Sequence, residues 1–197
     1  MFLNERAYAI GTRGETIELV TVFAIVFLTA IAASSLLFGS ASWVTRNNQF
    51  IVGPLVNCAL IIAGINFRGF AKVFGVIFLP SILAIVGGLV FATGSVYMLY
   101  MIPVIWVGNA AIVLLFKYLY THKKMSYIAT SLIAVCAKVG LIFAGYNLLT
   151  ATGIIPSGSA VANTLWTAMG VNQLLTAAIG CVLAWGIIKA FYPKMTA

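Results

Sequence analysis

The sequence predicts an all-α fold: a polytopic integral membrane protein with six transmembrane helices and both termini in the cytoplasm. Three observations carry this expectation. Apolar residues make up 63% of the 197-residue chain and charged residues only 7%, where a soluble domain carries about a quarter charged residues. The three acids, Glu5, Glu15 and Glu18, all precede residue 20, and Asp does not occur. The mean hydropathy is +1.13, and the apolar residues gather into runs close to the roughly 20 residues that cross a bilayer core of about 30 Å. So few charges could not cover a water-facing surface, which excludes a soluble enzyme and a disordered chain. Most hydrolytic chemistry is excluded too, because the apolar portion holds neither a pair of carboxylates nor a second histidine. No enzymatic activity is expected.

The spans follow in order. The first runs over 17–38 and carries no charge after Glu18. Its apolar run is longer than the core of a typical signal peptide, so a retained helix is expected although Ala30-Ile31-Ala32 resembles a cleavage site. The second begins near Phe50 and ends by Ile65, before Asn66-Phe67-Arg68-Gly69. The third covers 73–91 and is closed by Ala92-Thr93-Gly94-Ser95. The fourth runs over 96–116 and is stopped by Thr121-His122-Lys123-Lys124. The fifth covers 126–149. A stretch rich in Gly, Ser, Thr and Asn then reads as a loop up to Gly170, and the sixth span runs over 171–191. The predicted organisation is a cytoplasmic N-terminal segment (1–16), one six-helix transmembrane domain (17–192) and a short tail (193–197).

Orientation follows from the basic residues. One side carries Arg6, Arg13, Arg68, Lys72, Lys117, Lys123, Lys124, Lys189 and Lys194, whereas Arg46 stands alone on the other and Lys138 lies within the fifth span. The net charge of +8 therefore reflects topology and contact with anionic headgroups, not nucleic acid. Cys58, Cys136 and Cys181 each lie in an apolar stretch without metal-ligand spacing, and read as small packing residues. His122 is the only histidine, so haem held by two histidines of this chain is excluded. No cofactor and no metal are expected.

Polar side chains are costly inside a membrane, so their depth carries information. With that orientation, Asn57 lies in the outer half of the second span and Asn109 near the middle of the fourth, about 20 Å from its outer end. Tyr146 and Asn147 close the fifth on the outside, Asn172 and Gln173 open the sixth, and Trp166 belongs to the outer rim. This asymmetry suggests a polar pocket opening outward beneath the 150–170 loop. The plainer possibility is that the amides bond between helices and the aromatics form an interfacial belt. Lys138 is the sharpest signal. It sits roughly 17 Å from either end of its helix, too deep to snorkel, and no acid follows Glu18 to pair with it. It is an uncharged amine, or it bonds helix carbonyls and the amides of Asn57 or Asn109, or it meets an anion supplied by a ligand.

Pro54, Pro80 and Pro103 interrupt three spans, each freeing a carbonyl as is tolerated beside a cavity. The first span has a face of small residues that includes Thr29, Ala30, Ala33 and Ser34, which permits close helix approach. A Walker motif, an inverted repeat and an acidic proton relay are all missing. Uphill transport would need energy from a partner.

Several local phrases resemble a known family. These are Ile51-Val52-Gly53-Pro54-Leu55-Val56-Asn57, Gly108-Asn109, and Asn172-Gln173-Leu174-Leu175-Thr176-Ala177. With six spans in under 200 residues, the chain resembles the substrate-binding S components of energy-coupling factor (ECF) transporters over residues 17–192, and S-component-like membrane proteins in particular. The resemblance implies a subunit of a prokaryotic plasma membrane that captures a small nutrient or vitamin from outside. It would dock on a transmembrane coupling subunit driven by ATPase subunits. In that family an Ala-x-x-x-Ala face on the first helix makes the contact; here the nearest matches are Thr29-x-x-x-Ala33 and Ala30-x-x-x-Ser34. No vitamin-specific motif maps onto this chain. The expected ligand is a small anion paired with Lys138, hydrogen-bonded by Asn57, Asn109, Asn172 and Gln173, and covered by Trp166 and Tyr146. The alternative from another class is a membrane anchor or assembly subunit of a larger complex, such as a redox one.

Overall fold

The computed structural model describes residues 42–66, 73–78, 81 and 95–191. The first span, the docking candidates Thr29, Ala30, Ala33 and Ser34, most of the third span with Pro80, and both terminal segments lie outside the described residues. Among the described residues every regular element is helical and there is no strand.

Helix α1 runs over Ser42–Asn66, α2 over Ser95–Leu115, α3 over Tyr127–Ala151, α4 over Ala160–Met169 and α5 over Val171–Phe191. A helical segment at 73–78 lies between α1 and α2. Three helical stretches, Tyr97–His122, Tyr127–Ala151 and Ala160–Ala190, are long and apolar enough to cross a membrane, and Val52–Asn66 is a shorter apolar helix. At 1.5 Å per residue, α3 alone covers about 37 Å, more than the bilayer core. This is the helical scaffold of a membrane protein.

The local chemistry explains the boundaries. Ser126 caps α3, its hydroxyl accepting from the Ala129 N–H, and Ser159 caps α4 by accepting from Ala162. Each satisfies one of the donors that a helix start leaves free. Two glycines with positive φ, Gly153 (76°) and Gly158 (75°), turn the chain between α3 and α4, a conformation that a side chain would strain. Helix α2 does not stop at Leu115. It continues as a π-helix over Phe116–His122, closed by the Lys123 N–H donating to Tyr118 O at 2.9 Å. Lys124 then takes a positive φ of 54° and turns the chain into α3.

Two expectations are corrected here. The 150–170 stretch is not a continuous loop, because its second half is α4, a ten-residue helix that ends at Gly170. Helix α1 also starts well before Phe50, since its backbone carries Arg46-Asn47-Asn48-Gln49 as further helical turns.

The helices pack in two main pairs, α1 with α5 and α2 with α3, joined chiefly through α1 and α2. Helices α1 and α5 run parallel in one register. Gln49 meets Asn172, Gly53 faces Thr176, and Gly180 faces Asn57. The repeat of four residues on both helices puts these positions on one facing ridge. Gly180 permits the closest approach: a Cβ there would lie 2.5 Å from Asn57 Cβ and 3.0 Å from Pro54 O. Helices α2 and α3 are antiparallel, with Val104 against Gly145 and Gly108 against Ile142 and Lys138 O. Gly64 allows α1 to reach the Val113 backbone of α2.

Buried side chains form two apolar clusters. One joins α1, segment 73–78, the C-terminal half of α2 and α5, around Leu60, Ile65, Ile112, Phe116 and Ile188. The other joins the start of α2, the end of α3 and α4, around Met101, Ile142, Tyr146, Leu165 and Met169.

Replacing Gly180 by Ala should separate α1 from α5 and cost about 1–3 kcal/mol, the usual cost of overpacking. Gly186→Ala is the control, since a Cβ there meets nothing within 4 Å. Unfolding in mixed micelles checks both; equal stability of the two variants would contradict the packing described.

Candidate functional site

Lys138 projects from the middle of α3 between Ala134 and Ile142, the first in one apolar cluster and the second in the other. It is 2% exposed, as are Asn57 and Asn109. Its Nζ donates to Asn109 Oδ1 at 2.8 Å and, in a short contact, to Asn57 Oδ1. Three helices thus meet at one nitrogen. The amides are oriented in turn: Asn57 Nδ2 donates to Gly53 O at 2.9 Å and Asn109 Nδ2 to Ile77 O at 3.4 Å. With its amino group tied to a carbonyl, each asparagine can only present oxygen to the lysine.

The close approaches at Gly108 and Gly180 create this geometry. Gly108 precedes Asn109 and lies against Lys138 O and Ile142; Gly180 lies against Asn57. A larger side chain at 108 would hold α2 away from α3, and one at 180 would displace Asn57 and α1 from α5.

Magnitudes show why amides suffice. A lysine at the centre of a membrane helix costs about 2.5–3.5 kcal/mol on insertion scales. Hydrogen bonds to a charged group contribute about 1.5–3 kcal/mol each, so two of them roughly offset that cost. Ordinary interhelical hydrogen bonds in membranes average only about 0.6 kcal/mol. An ammonium offers three donors, and two are spent on Asn57 and Asn109. The described residues contain no carboxylate, because no acid follows Glu18.

The other candidates sit elsewhere. Asn172 Nδ2 donates to Gln49 Oε1 at 3.2 Å, and Gln49 Nε2 donates to Ala168 O at 3.3 Å. This pair ties α1 to the junction of α4 and α5, two helical turns from the Asn57 level, about 12 Å. Gln173 is half-buried, and its backbone carbonyl accepts from the Thr176 hydroxyl. Tyr146 is buried and donates to Ala162 O at 2.9 Å. Trp166 is about half exposed, at 49%, and packs edge-on against Phe143. Both rings belong to the contact that fastens α4 onto α3. Asn147 is exposed and bonds back to Phe143 O.

The polar residues therefore do not line one outward pocket among the described residues. They divide into a buried Lys138–Asn57–Asn109 cluster, a Gln49–Asn172 pair and an aromatic α3–α4 contact. Gln49 was not singled out from the sequence, where it reads as part of a polar turn outside the span. The one signal for it is its spacing of four and eight residues from Gly53 and Asn57.

Among the described residues no group of three or more His, Cys, Asp or Glu side chains comes together as a metal site would need. Cys58 and Cys181 are buried thiols and Cys136 is exposed. Compared with known proteins, the chain matches no family model, no curated protein and no solved structure.

Substitutions can separate the cluster's contributions. Asn109→Leu removes one of the two acceptors and should cost about 1.5–3 kcal/mol. Lys138→Met leaves two buried amide oxygens unpaired and should also destabilise. The triple variant Lys138→Met/Asn57→Leu/Asn109→Leu removes every strained polar group and should lose less than the sum of the three single changes. Unfolding free energies in mixed micelles measure this; strict additivity would show that the three side chains do not act as a unit.

Proposed function

We propose that this chain is a membrane-embedded substrate-binding subunit of an ATP-driven importer, of the S-component type, which captures a small anionic solute. The observation that carries the reading is Lys138: a buried amine that meets no carboxylate among the described residues and is held there by two amide oxygens, which as an ammonium leaves a third donor. Such a group is what a carboxylate or phosphate of a nutrient would complete. Asn57 and Asn109 would position the amine and hold it in place while the ligand is absent.

The proposal includes six spans, cytoplasmic termini and residence in a prokaryotic plasma membrane. The helix directions support it. Helices α1, α2 and α5 run one way and α3 the other, as the second, fourth, sixth and fifth members of an alternating series would. The small-residue face of the first span, with Thr29, Ala30, Ala33 and Ser34, would dock a transmembrane coupling subunit carrying the ATPases. Asn172, Gln173, Tyr146 and Trp166 then belong to the outer end of the bundle, where α4 would have to shift for a solute to enter.

A second reading also has an observation in its favour. The bonds to Asn57 and Asn109 are those of a structural pin, as a membrane anchor or assembly subunit would need. Native mass spectrometry of the protein, extracted gently from its own membrane, separates the two. The importer reading expects a retained small anion that Lys138→Met loses, with helicity by circular dichroism kept. A wild-type chain that carries no small molecule and is held instead by other integral subunits would overturn it.

A further inference from the structure

Helices α3 and α5 touch less extensively than the two main pairs, and Tyr127 Oη donates to Cys181 O between them at 2.7 Å. Beside that contact lies a cleft of about 400 Å3. Its walls are Ile128, Leu132 and Cys136 on α3 and Ala178, Val182 and Trp185 on α5. Ile128, Leu132 and Val182 are among the most exposed apolar side chains described, at 72%, 64% and 67%, so the cleft is open along its length. At the end where α3 begins and α5 ends, Lys189 Nζ stands over the Trp185 ring at 4.2 Å. The turn that opens α3 places Lys123 and Lys124 at the same end.

We propose that this cleft binds a membrane phospholipid with an anionic headgroup, its acyl chain lying between α3 and α5 and its phosphate against Lys189. Three features identify this occupant. The first is length: the 174–185 stretch of α5 that forms one wall covers about 17 Å, close to one leaflet of a core about 30 Å thick. The second is lining: apart from Tyr127 and Ser131, the walls are apolar side chains, Ala and Cys, as an acyl chain needs. The third is charge. The polar end is flanked by Lys189, Lys123 and Lys124, so a negative headgroup is favoured over a zwitterionic one. The proposal does not rest on what the Lys138 cluster binds.

The test offers the delipidated full-length protein an equimolar mixture of palmitoyl-oleoyl phosphatidylglycerol and phosphatidylcholine and reads bound lipid by native mass spectrometry. One phosphatidylglycerol per chain should survive removal of the micelle, several-fold in excess over phosphatidylcholine. Lys189→Gln should bring the two lipids close to parity, and Ala178→Trp, which fills the cleft, should lose the retained lipid. Lys189 is exposed, so its variant keeps the test decisive if the tryptophan variant fails to fold. Equal retention of both lipids by the wild type would overturn the proposal, as would undiminished phosphatidylglycerol retention in the Lys189 variant. So would a co-purifying membrane subunit that Ala178→Trp releases while no lipid is retained.

Discussion

A buried amine with no acid among the described residues sets the terms for this protein. Lys138 has no carboxylate to pair with anywhere after Glu18, so the fold must bring neutral oxygen to it. Asn57 and Asn109 do so from two other helices, and their reach depends on how closely those helices approach α3. Glycine at 108 lets α2 approach α3, and glycine at 180 seats α1, with Asn57, against α5. The register of α1 against α5, the crossing of α2 with α3 and the meeting of two apolar clusters all converge on one nitrogen. Apolar packing alone would tolerate neighbouring registers, because lipid tails and leucine side chains are alike in polarity. A charge-assisted cluster does not.

Much of the scaffold was legible from hydropathy and punctuation. The stretches 96–116, 126–149 and 171–191 anticipate α2, α3 and α5 to within about two residues, because Ser95, Ser126 and Gly170 mark where each helix begins. What was hidden has a physical reason in each case. Helix α4 is short, and the Gly- and Ser-bearing stretch 153–159 before it gives the whole segment the look of a loop; its cap at Ser159 and its contact through Tyr146 make it a helix. The polar turns Arg46–Gln49 extend α1 beyond its apolar part, and a count of apolar residues stops too early. The π-helix at Phe116–His122 leaves no mark in hydropathy at all.

The site was legible residue by residue and not as an assembly. Depth and chemistry single out Lys138, Asn57 and Asn109, and bonding between them is one of the fates open to the lysine in the sequence. Depth along a helix says nothing about azimuth, however. Asn172, Tyr146 and Trp166 share one end of the bundle but face other partners, and Gln49 enters only through its pairing with Asn172. The apolar cleft between α3 and α5 is equally invisible in sequence, since it arises from how two helices touch.

The dependence of the fold on Lys138 can be measured directly by solid-state NMR in lipid bilayers, through 13C–15N dipolar recoupling between Lys138 Nζ and the side-chain carbonyl carbons of Asn57 and Asn109. Both carbons should lie within about 4 Å of Nζ, as two hydrogen bonds require. Absence of coupling to both asparagines would contradict the convergence of three helices on this lysine, and with it the arrangement proposed to receive an anion.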